Sequence, residues 1–213
     1  MIYSSPIKNP DCNEFEVDKH LISKFVIERL IPLNTPYPLD ELMLMASAVC
    51  RFTPKKIIEW GTSTGYSARI FYETIKGFGI DCEIHSIDLP DDAIHPEHDP
   101  KTVGLAIKGI DEIKLHKGDC LDVALAILLD NEGSVLFFVD GDHSYESVKR
   151  ELDWITKCAP YAVILAHDTF YQSSESGYNT GPGRAITDVI RISTYRRINT
   201  ILGAPGMSLL YKK

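Results

Sequence analysis

The stretch EWGTSTGYS, residues 59–67, decides the fold, because it joins an apolar segment to a helical one through two glycines. The segment KKIIEW is short and rich in β-branched residues, as in a buried parallel strand. The glycines Gly61 and Gly65 let the backbone turn sharply and approach a ligand closely. A helix follows, and its first N–H groups are unpaired, so the turn predicts a site for a small anionic or polar ligand.

Outward from this turn, short apolar runs alternate with helical segments. The strand candidates are KKIIEW, CEIHSIDL, EIKLHKGD, VLFFVD and AVILAHD, and the helix candidates cover residues 66–77, 102–109, 120–130, 144–157 and 184–191. This alternation predicts an α/β fold with a Rossmann-like, doubly wound, mostly parallel sheet and helices on both faces. The tail YRRINTILGAPGMSLLYKK predicts an antiparallel hairpin that turns at residues 203–206 and completes a seven-stranded sheet.

Two helical segments precede this alternating part. Residues 12–33 place apolar side chains at intervals of three and four, and residues 41–51 repeat the pattern after a Pro-rich joint. We therefore expect an N-terminal helical extension over residues 1–53, packed on a ligand-binding domain over residues 54–213. A length of 213 residues suits one such domain.

The composition indicates which binding partners and which cellular compartment to expect. The formal charge is −8 and the Lys and Arg residues are scattered, which argues against nucleic acid. The sequence has no 18-residue apolar segment and no basic stretch leading into an apolar run at its start, so we expect a cytoplasmic protein without a membrane partner. The five cysteines form no CxxC pair, which argues against a zinc knuckle or a thioredoxin-type site.

The spacing of the glycines separates two classes of nucleotide-binding protein. A dinucleotide fold has GxGxxG, whereas this chain has GxxxG with Ser63 at the middle position, so an NAD-dependent oxidoreductase is a disfavoured alternative. The pattern E-x-G-x-x-x-G-x-S resembles motif I of class I S-adenosylmethionine-dependent methyltransferases, in which the loop holds the methionine part of the cofactor. A merely structural strand-helix turn is the other interpretation. The resemblance implies cofactor contacts from Glu59, Gly61, Thr62, Gly65 and Ser67.

Acidic residues end the next two strands. Asp88 closes CEIHSIDL, where NAD and S-adenosylmethionine proteins bind ribose hydroxyls, because a carboxylate can accept two hydrogen bonds from a vicinal diol. A helix-capping or loop role is the alternative. Asp119 lies in HKGDCLD at the end of the third strand, where the resemblance implies a contact with the adenine amino group. Asp119 could equally be the N-cap of the next helix, and one residue can do both.

Ionisable residues also follow the fourth and fifth strands. The segment VLFFVDGDHSYESVKREL, residues 135–152, delivers Asp140 and His143, and YAVILAHDTF delivers His167 and Asp168. Since these strands should be neighbours in the doubly wound topology, Asp140, His167 and Asp168 could converge within coordination distance. Mixed carboxylate and imidazole ligands suit Mg²⁺, Mn²⁺, Fe²⁺ or Zn²⁺. Alternatively, Asp140 accepts a hydrogen bond from the cofactor's ammonium group while His167 and Asp168 only cap their strand.

Over about residues 55–170 the motifs resemble the metal-dependent O-methyltransferases of the catechol and caffeoyl-CoA type, and more closely a bacterial small-molecule branch with DGDHSYE and HDT. The first Asp of the family motif D-x-x-K/H binds metal, and the fourth residue is the catalytic base. The resemblance thus implies Asp140, His167 and Asp168 as metal ligands and His143 as the base, although His143 could equally only orient the cofactor or substrate. His143 replaces the family's Lys, and His167 stands where the ligand pair begins with Asp.

The expected activity is therefore S-adenosylmethionine-dependent O-methylation of a small hydroxylated molecule with divalent metal assistance. A protein of the same fold that binds the cofactor or a nucleoside without methyl transfer is the alternative from another class. The polar loop 89–101 fits a solvated loop better than a second metal site, although it could lean over the cofactor. The N-terminal helices and the loop 170–183 are expected to shape the acceptor pocket or a homodimer contact.

Overall fold

A seven-stranded sheet lies between two layers of helices. The structure, a computed structural model, describes residues 18–95, 98–129, 133–170, 179–200 and 202–212. The strands are β1 (Lys56–Trp60), β2 (Glu83–Asp88), β3 (Ile113–Lys117), β4 (Val135–Val139), β5 (Val163–Ala166), β6 (Arg196–Asn199) and β7 (Ser208–Tyr211). The helices are α1 (Lys19–Phe25), α2 (Leu39–Phe52), α3 (Tyr66–Phe78), α4 (Cys120–Leu129), α5 (Tyr145–Cys158) and α6 (Gly181–Ile192).

The strand order is β3-β2-β1-β4-β5-β7-β6. Strands β1 to β5 run parallel to one another, whereas β7 pairs antiparallel with both β5 and β6. The predicted Rossmann-like sheet with its C-terminal hairpin is thus confirmed. Because the chain order reverses between β1 and β4, this topology opens a crevice at the carboxyl ends of the two central strands, where ligands bind in such folds.

The helices cover the two faces of the sheet with separate hydrophobic clusters. Alternate side chains of the central strands point to opposite faces, so Phe138 packs with α1, α2 and α3 while the adjacent Phe137 packs with α4, α5 and α6. All five residues of β1 and of β4 are buried, as expected for central parallel strands. The sheet is therefore a rigid platform for the residues at its carboxyl edge.

The N-terminal segments differ from the long helix that the periodicity predicts. The α-helix α1 passes into a π-helical turn at Val26–Leu30 and a 3₁₀ turn at Ile31–Leu33, where Pro32 lacks an N–H to continue the α-helical pattern. Residues 12–17 of the prediction lie outside the described ranges. The side chains of α1 and α2 join the same cluster as those of α3, and the division of the chain at residue 53 stays a prediction.

The helix predicted over residues 102–109 is wrong. The structure has only a 3₁₀ turn at Leu105–Ile107. Gly104 and Gly109 flank it with φ angles of +75° and +84°, and an α-helix cannot pass through two left-handed positions so close together. None of the helices in the described ranges is long and apolar enough to cross a membrane.

Candidate functional site

A cavity of about 690 Å³ opens at the carboxyl ends of the parallel strands. Its volume falls within the range of about 300–1,000 Å³ common for small-molecule sites. The predicted site residues that line it are Gly61, Thr62, Ser67, Asp88, Asp119, Asp140, His143, His167 and Asp168. The structure thus brings nearly all of the predicted residues to one cavity, while Glu59 and Gly65 lie behind its lining.

The turn after β1 is shaped by its glycines. At Gly61 the φ angle is +92°, and an added Cβ would lie 2.2 Å from the carbonyl oxygen of Asp140. The turn therefore presses directly against the backbone that follows β4, and no side chain fits between them. Gly65 has φ +88° and caps α3, where a side chain would meet Ile107 at 3.2 Å.

The side chains of Glu59 and Thr62 fix this turn against β2. The hydroxyl of Ser86 donates to Oε2 of Glu59, and it also lies 2.7 Å from Oγ1 of Thr62. Glu59 is fully buried, and this burial raises its pKa to about 8, although hydrogen bonds from Ser67 and Ser86 oppose the shift. Glu59 therefore carries a proton at neutral pH and supports the turn from behind.

Asp88 braces the same turn from the end of β2. Its Oδ2 accepts from the backbone N–H of Ser63 at 2.8 Å, and its Oδ1 accepts from that of Leu89 at 2.8 Å. Nδ1 of His98 also lies 3.0 Å from Oδ1. The carboxylate is thus held at the rim of the cavity by backbone donors, in the position predicted for a ribose contact.

The loop 89–101 leans over the cavity instead of standing wholly in solvent. The side chain of His98 is only 3% exposed, and His95, His98 and Asp99 line the cavity, whereas Asp91 and Asp92 are exposed. Residues 96–97 of this loop lie outside the described ranges. Within the parts of the loop that are described, its acids and histidines form no second metal cluster.

Asp119 caps α4, as the alternative interpretation proposes. Its Oδ1 accepts from the N–H groups of Leu121 and Asp122 at 3.0 and 3.3 Å, and its Oδ2 accepts from Nη2 of Arg150 at 3.1 Å. Partial burial raises the pKa of Asp119, but Arg150 and the two amides outweigh it and lower the pKa below its usual value. Asp119 is therefore an ionised cavity residue whose two oxygens are already engaged.

Asp140 is the centre of a charged cluster beyond β4. Its Oδ1 lies 3.0 Å from Nδ1 of His167 and 3.4 Å from Nε2 of His143, and its Oδ2 accepts from the hydroxyl of Tyr37 at 3.0 Å. Burial raises the pKa of Asp140, yet the two histidines outweigh this and lower it overall. Asp140 is thus a buried carboxylate stabilised by cationic neighbours.

Asp168 completes the cluster from the end of β5. It has φ +54°, a left-handed conformation that is strained for a residue with a side chain. Its Oδ2 lies 2.9 Å from Nε2 of His143 and accepts from Nδ2 of Asn179 at 3.0 Å. The hydrogen bonds of Asp140 and Asp168 raise the pKa of His143 to about 10, so His143 is cationic in this arrangement.

The donor set of this cluster fits a divalent cation. Asp140, His167 and Asp168 each offer one ligand atom, and these atoms lie within 4.8 Å of one another. Two carboxylates and one imidazole are hard and borderline ligands that suit first-row divalent ions and Mg²⁺. The predicted convergence of the three side chains is therefore present, and cation binding stays a proposal.

Sequence reasoning missed Glu41 and Tyr37, which join this cluster from the N-terminal part of the chain. Glu41 of α2 is 1% exposed; its Oε2 lies 3.0 Å from Nε2 of His167, and its Oε1 accepts from the N–H of Gly206 at 2.8 Å. Burial lowers the pKa of His167, but Asp140 and Glu41 raise it more, to about 10. The sequence feature that could have revealed Glu41 is the presence of a glutamate on the apolar face of α2.

The carboxylates of Glu41 and Asp140 flank the ring of His167, as carboxylates often do around metal-binding histidines. Such a histidine donates one ring N–H to a carboxylate and directs the other nitrogen to the cation. Here Nε2 of His167 faces Glu41 and Nδ1 faces Asp140. Glu41 is thus placed to orient His167 toward the cluster.

Comparison with known proteins agrees with this geometry. Residues 58–169 match the family described as "Methyltransferase domain". Three solved structures share the fold: an O-methyltransferase from Bacillus cereus in complex with SAH (TM-score 0.58, 15% identity, 90% of each chain), the O-methyltransferase TomG from Streptomyces achromogenes in complex with SAM (0.57, 14%, 94% of this chain and 92% of that one), and the SAH-bound methyltransferase PaMTH1 from Podospora anserina (0.57, 18%, 89% and 88%).

A curated relative offers no further functional information. The uncharacterized protein y4gI of Sinorhizobium fredii is 28% identical over 120 residues, which is 54% of this chain. The chain spans only 13% of the length of that relative.

Proposed function

The chain belongs to the methyltransferase domain family, and from this premise we propose that it is an S-adenosylmethionine-dependent O-methyltransferase of a small hydroxylated molecule. The family match confirms the class I methyltransferase that motif I indicates. One observation supports the finer assignment: the glycine turn at Gly61 and the Asp140 cluster open into the same cavity. A cofactor bound at the glycine turn then lies next to an acceptor bound at the Asp140 cluster.

The cofactor half of the cavity offers a site for each part of S-adenosylmethionine. The turn that begins at Gly61 and ends in the N-terminus of α3 receives the methionine part, because its residues line the cavity and the first N–H groups of a helix have no partner within the helix. Asp88 receives the ribose hydroxyls, and Asp140 is close enough to the turn to accept from the ammonium group. The adenine then extends toward the tips of β3 and β4.

The acceptor half holds its substrate through the Asp140 cluster. Asp140, His167 and Asp168 would hold a divalent cation such as Mg²⁺, which supplies Lewis-acid activation of the acceptor hydroxyl when bound. The cavity is of small-molecule size, and the net charge of −8 argues against a nucleic-acid acceptor. These features support a small-molecule acceptor.

Methyl transfer requires alignment and removal of one proton. The C–S bond of the sulfonium breaks as the methyl–oxygen bond forms, and S-adenosylhomocysteine leaves. His143 is the proposed acceptor of the hydroxyl proton, because its Nε2 lies at the cluster between Asp140 and Asp168. If a cation bound to Asp140 and Asp168, these carboxylates would no longer stabilise the protonated form of His143.

The test combines cofactor binding with turnover on a panel of phenols, sugars and polyketide-like alcohols. We expect His143→Ala to lower turnover by about 10²- to 10⁴-fold, as loss of a general base does, and to leave the affinity for S-adenosylhomocysteine within about threefold. The matched control is His116→Ala, which alters a histidine that stacks on His85 away from the cavity. Methyl transfer that survives both His143→Ala and exhaustive chelation would refute the mechanism.

A further inference from the structure

Glu151 of α5 is a buried acid in the cavity wall that the proposed mechanism does not use. Glu151 is only 6% exposed, and it lines the cavity. Oε1 accepts from the thiol of Cys120 at 3.7 Å, which is a weak hydrogen bond. Oε2 is buried and has no hydrogen-bond partner among the residues that the structure describes. A buried polar atom without a partner costs free energy unless a ligand forms a hydrogen bond with it.

The carboxyl group lies between the segment that follows β3 and the segment that follows β4. Cys120 follows β3 and Gly141 follows β4, and both line the cavity. A Cβ added at Gly141 would lie 3.9 Å from Oε1 of Glu151 and 3.7 Å from the carbonyl oxygen of Trp60. This is the end of the cavity toward which the adenine extends under the proposed function.

The protonation state of Glu151 gives it two kinds of hydrogen bond. Burial raises the pKa of Glu151 to about 8, and the nearby Asp142 raises it too, while Cys120 and Arg150 oppose the shift. The carboxyl group is therefore largely neutral at pH 7 and offers one O–H donor and one carbonyl acceptor. That pair complements the amino group and adjacent ring nitrogen of adenine.

Asp119, the residue expected to contact adenine, is less suited to this task. Its two oxygens already accept from two backbone amides and from Arg150. Because Asp119 is ionised, it has no proton to donate to a ring nitrogen. Both oxygens of Asp119 are therefore engaged, whereas Oε2 of Glu151 has no hydrogen-bond partner among the described residues.

We propose that Glu151 binds the polar edge of the cofactor's adenine and sets the preference of this site for a purine with a 6-amino group. The inference rests on the proposed function, since it takes the cavity to bind S-adenosylmethionine. The amino group donates to the carbonyl oxygen of Glu151, and the O–H of Glu151 donates to the neighbouring ring nitrogen. The roles proposed above for Asp88, Asp140 and His143 stay the same.

The experiment measures two ligands against four proteins by titration calorimetry. The ligands are S-adenosylhomocysteine and its 6-deamino analogue, which has purine in place of adenine. We expect the wild type to bind the first about tenfold more tightly, since one buried hydrogen bond contributes about 1–1.5 kcal/mol. Glu151→Gln keeps a donor and an acceptor and should retain this preference, whereas Glu151→Leu should lose it and bind the parent ligand about tenfold more weakly.

The matched comparison is Asp119→Asn, which should leave the tenfold preference intact. If Asp119→Asn abolishes the preference while Glu151→Leu keeps it, Asp119 recognises the amino group and the inference about Glu151 is overturned. Thermal unfolding of each variant shows whether Glu151→Leu is folded. If Glu151→Leu does not fold, Glu151→Gln remains available as a variant that preserves the side-chain volume. A wild type that binds neither ligand would instead overturn the proposed cofactor, which is a separate result.

Discussion

The two sides of the cavity are built differently. On the β1 and β2 side, the acid Asp88 accepts from backbone N–H groups, and the turn itself needs glycine at position 61 because of the carbonyl of Asp140. On the β4 and β5 side, Asp140 and Asp168 are paired with the histidines His143 and His167. Backbone geometry thus shapes the first side, whereas side-chain charge shapes the second.

This contrast separates holding a ligand from reacting with one. A site made of backbone donors is rigid and does not change its charge, which suits a cofactor that every reaction shares. A cluster of buried ionisable groups responds to cations and protons, which suits chemistry. Damage to the first side should therefore abolish binding, and damage to the second should reduce catalysis or cation affinity while binding of the cofactor persists.

The largest effect is expected for Gly61→Ala. The new Cβ would overlap the carbonyl oxygen of Asp140 and the residue would keep a left-handed φ, so the turn must move away from β4. We expect the affinity for S-adenosylhomocysteine to fall by about 100-fold or more, since a lost hydrogen bond to a charged ligand group costs about 1.5–3 kcal/mol. Calorimetry measures the affinity, and circular dichroism confirms that the protein is folded.

The control is Gly79→Ala at the end of α3. This glycine also has a positive φ, +64°, but an added Cβ meets nothing within 4 Å. Gly79→Ala should cost about 1 kcal/mol of stability and leave the cofactor affinity unchanged. Equal affinities for Gly61→Ala and Gly79→Ala would show that close approach at the turn has no role in binding.

A smaller effect is expected when Glu41 no longer orients His167. Glu41→Gln removes the carboxylate that faces Nε2 of His167 and keeps the size of the side chain. We expect affinity for Mn²⁺ to fall by about 10- to 100-fold, as for other partners of metal-bound histidines, while affinity for S-adenosylhomocysteine stays the same. The neighbouring Asp40→Asn is the control. Unchanged Mn²⁺ affinity in Glu41→Gln would leave Glu41 with a purely structural role.

The last effect concerns the dependence of stability on pH and the buried acid Glu59 beside the turn. Because burial raises the pKa of Glu59 to about 8, the folded protein keeps a proton that the unfolded chain releases above its ordinary pKa near 4.5. This contribution to stability is complete below pH 4.5 and is lost as pH rises toward 8, at no more than about 1.4 kcal/mol per pH unit.

Glu59→Gln should therefore flatten the dependence of the free energy of unfolding on pH between 5 and 8. Urea denaturation at several pH values measures this dependence. Glu146→Gln, which alters an exposed glutamate of α5, should leave the slope as it is in the wild type. An identical slope in Glu59→Gln and the wild type would mean that Glu59 is ionised in the folded protein.

The part of the site that local backbone rules govern could be predicted from the sequence. Glycine spacing predicted the sharp turn at Gly61, and strand adjacency in a doubly wound sheet predicted that Asp140 and Asp168 lie together. Both rules act over short segments or over one pair of neighbouring strands. The sheet and its C-terminal hairpin follow from the same alternation of apolar runs.

The remaining features depend on contacts between distant segments. Tyr37 and Glu41 reach Asp140 and His167 across 103 and 126 residues of chain, and periodicity carries no information about such pairs. Asp119 is bound by Arg150 of a later helix, which the motif could not indicate. The helix predicted over 102–109 is absent because Gly104 and Gly109 adopt positive φ angles, which interrupt an α-helix.

The two hydrogen bonds of Glu41 join distant parts of the chain. Its Oε1 accepts from the amide of Gly206, which is 165 residues later, while its Oε2 faces Nε2 of His167. Contacts of such long range form late in folding, because closing a larger loop costs more entropy. We therefore expect the orientation of His167 to become fixed only after the segment before β7 has packed beside α2.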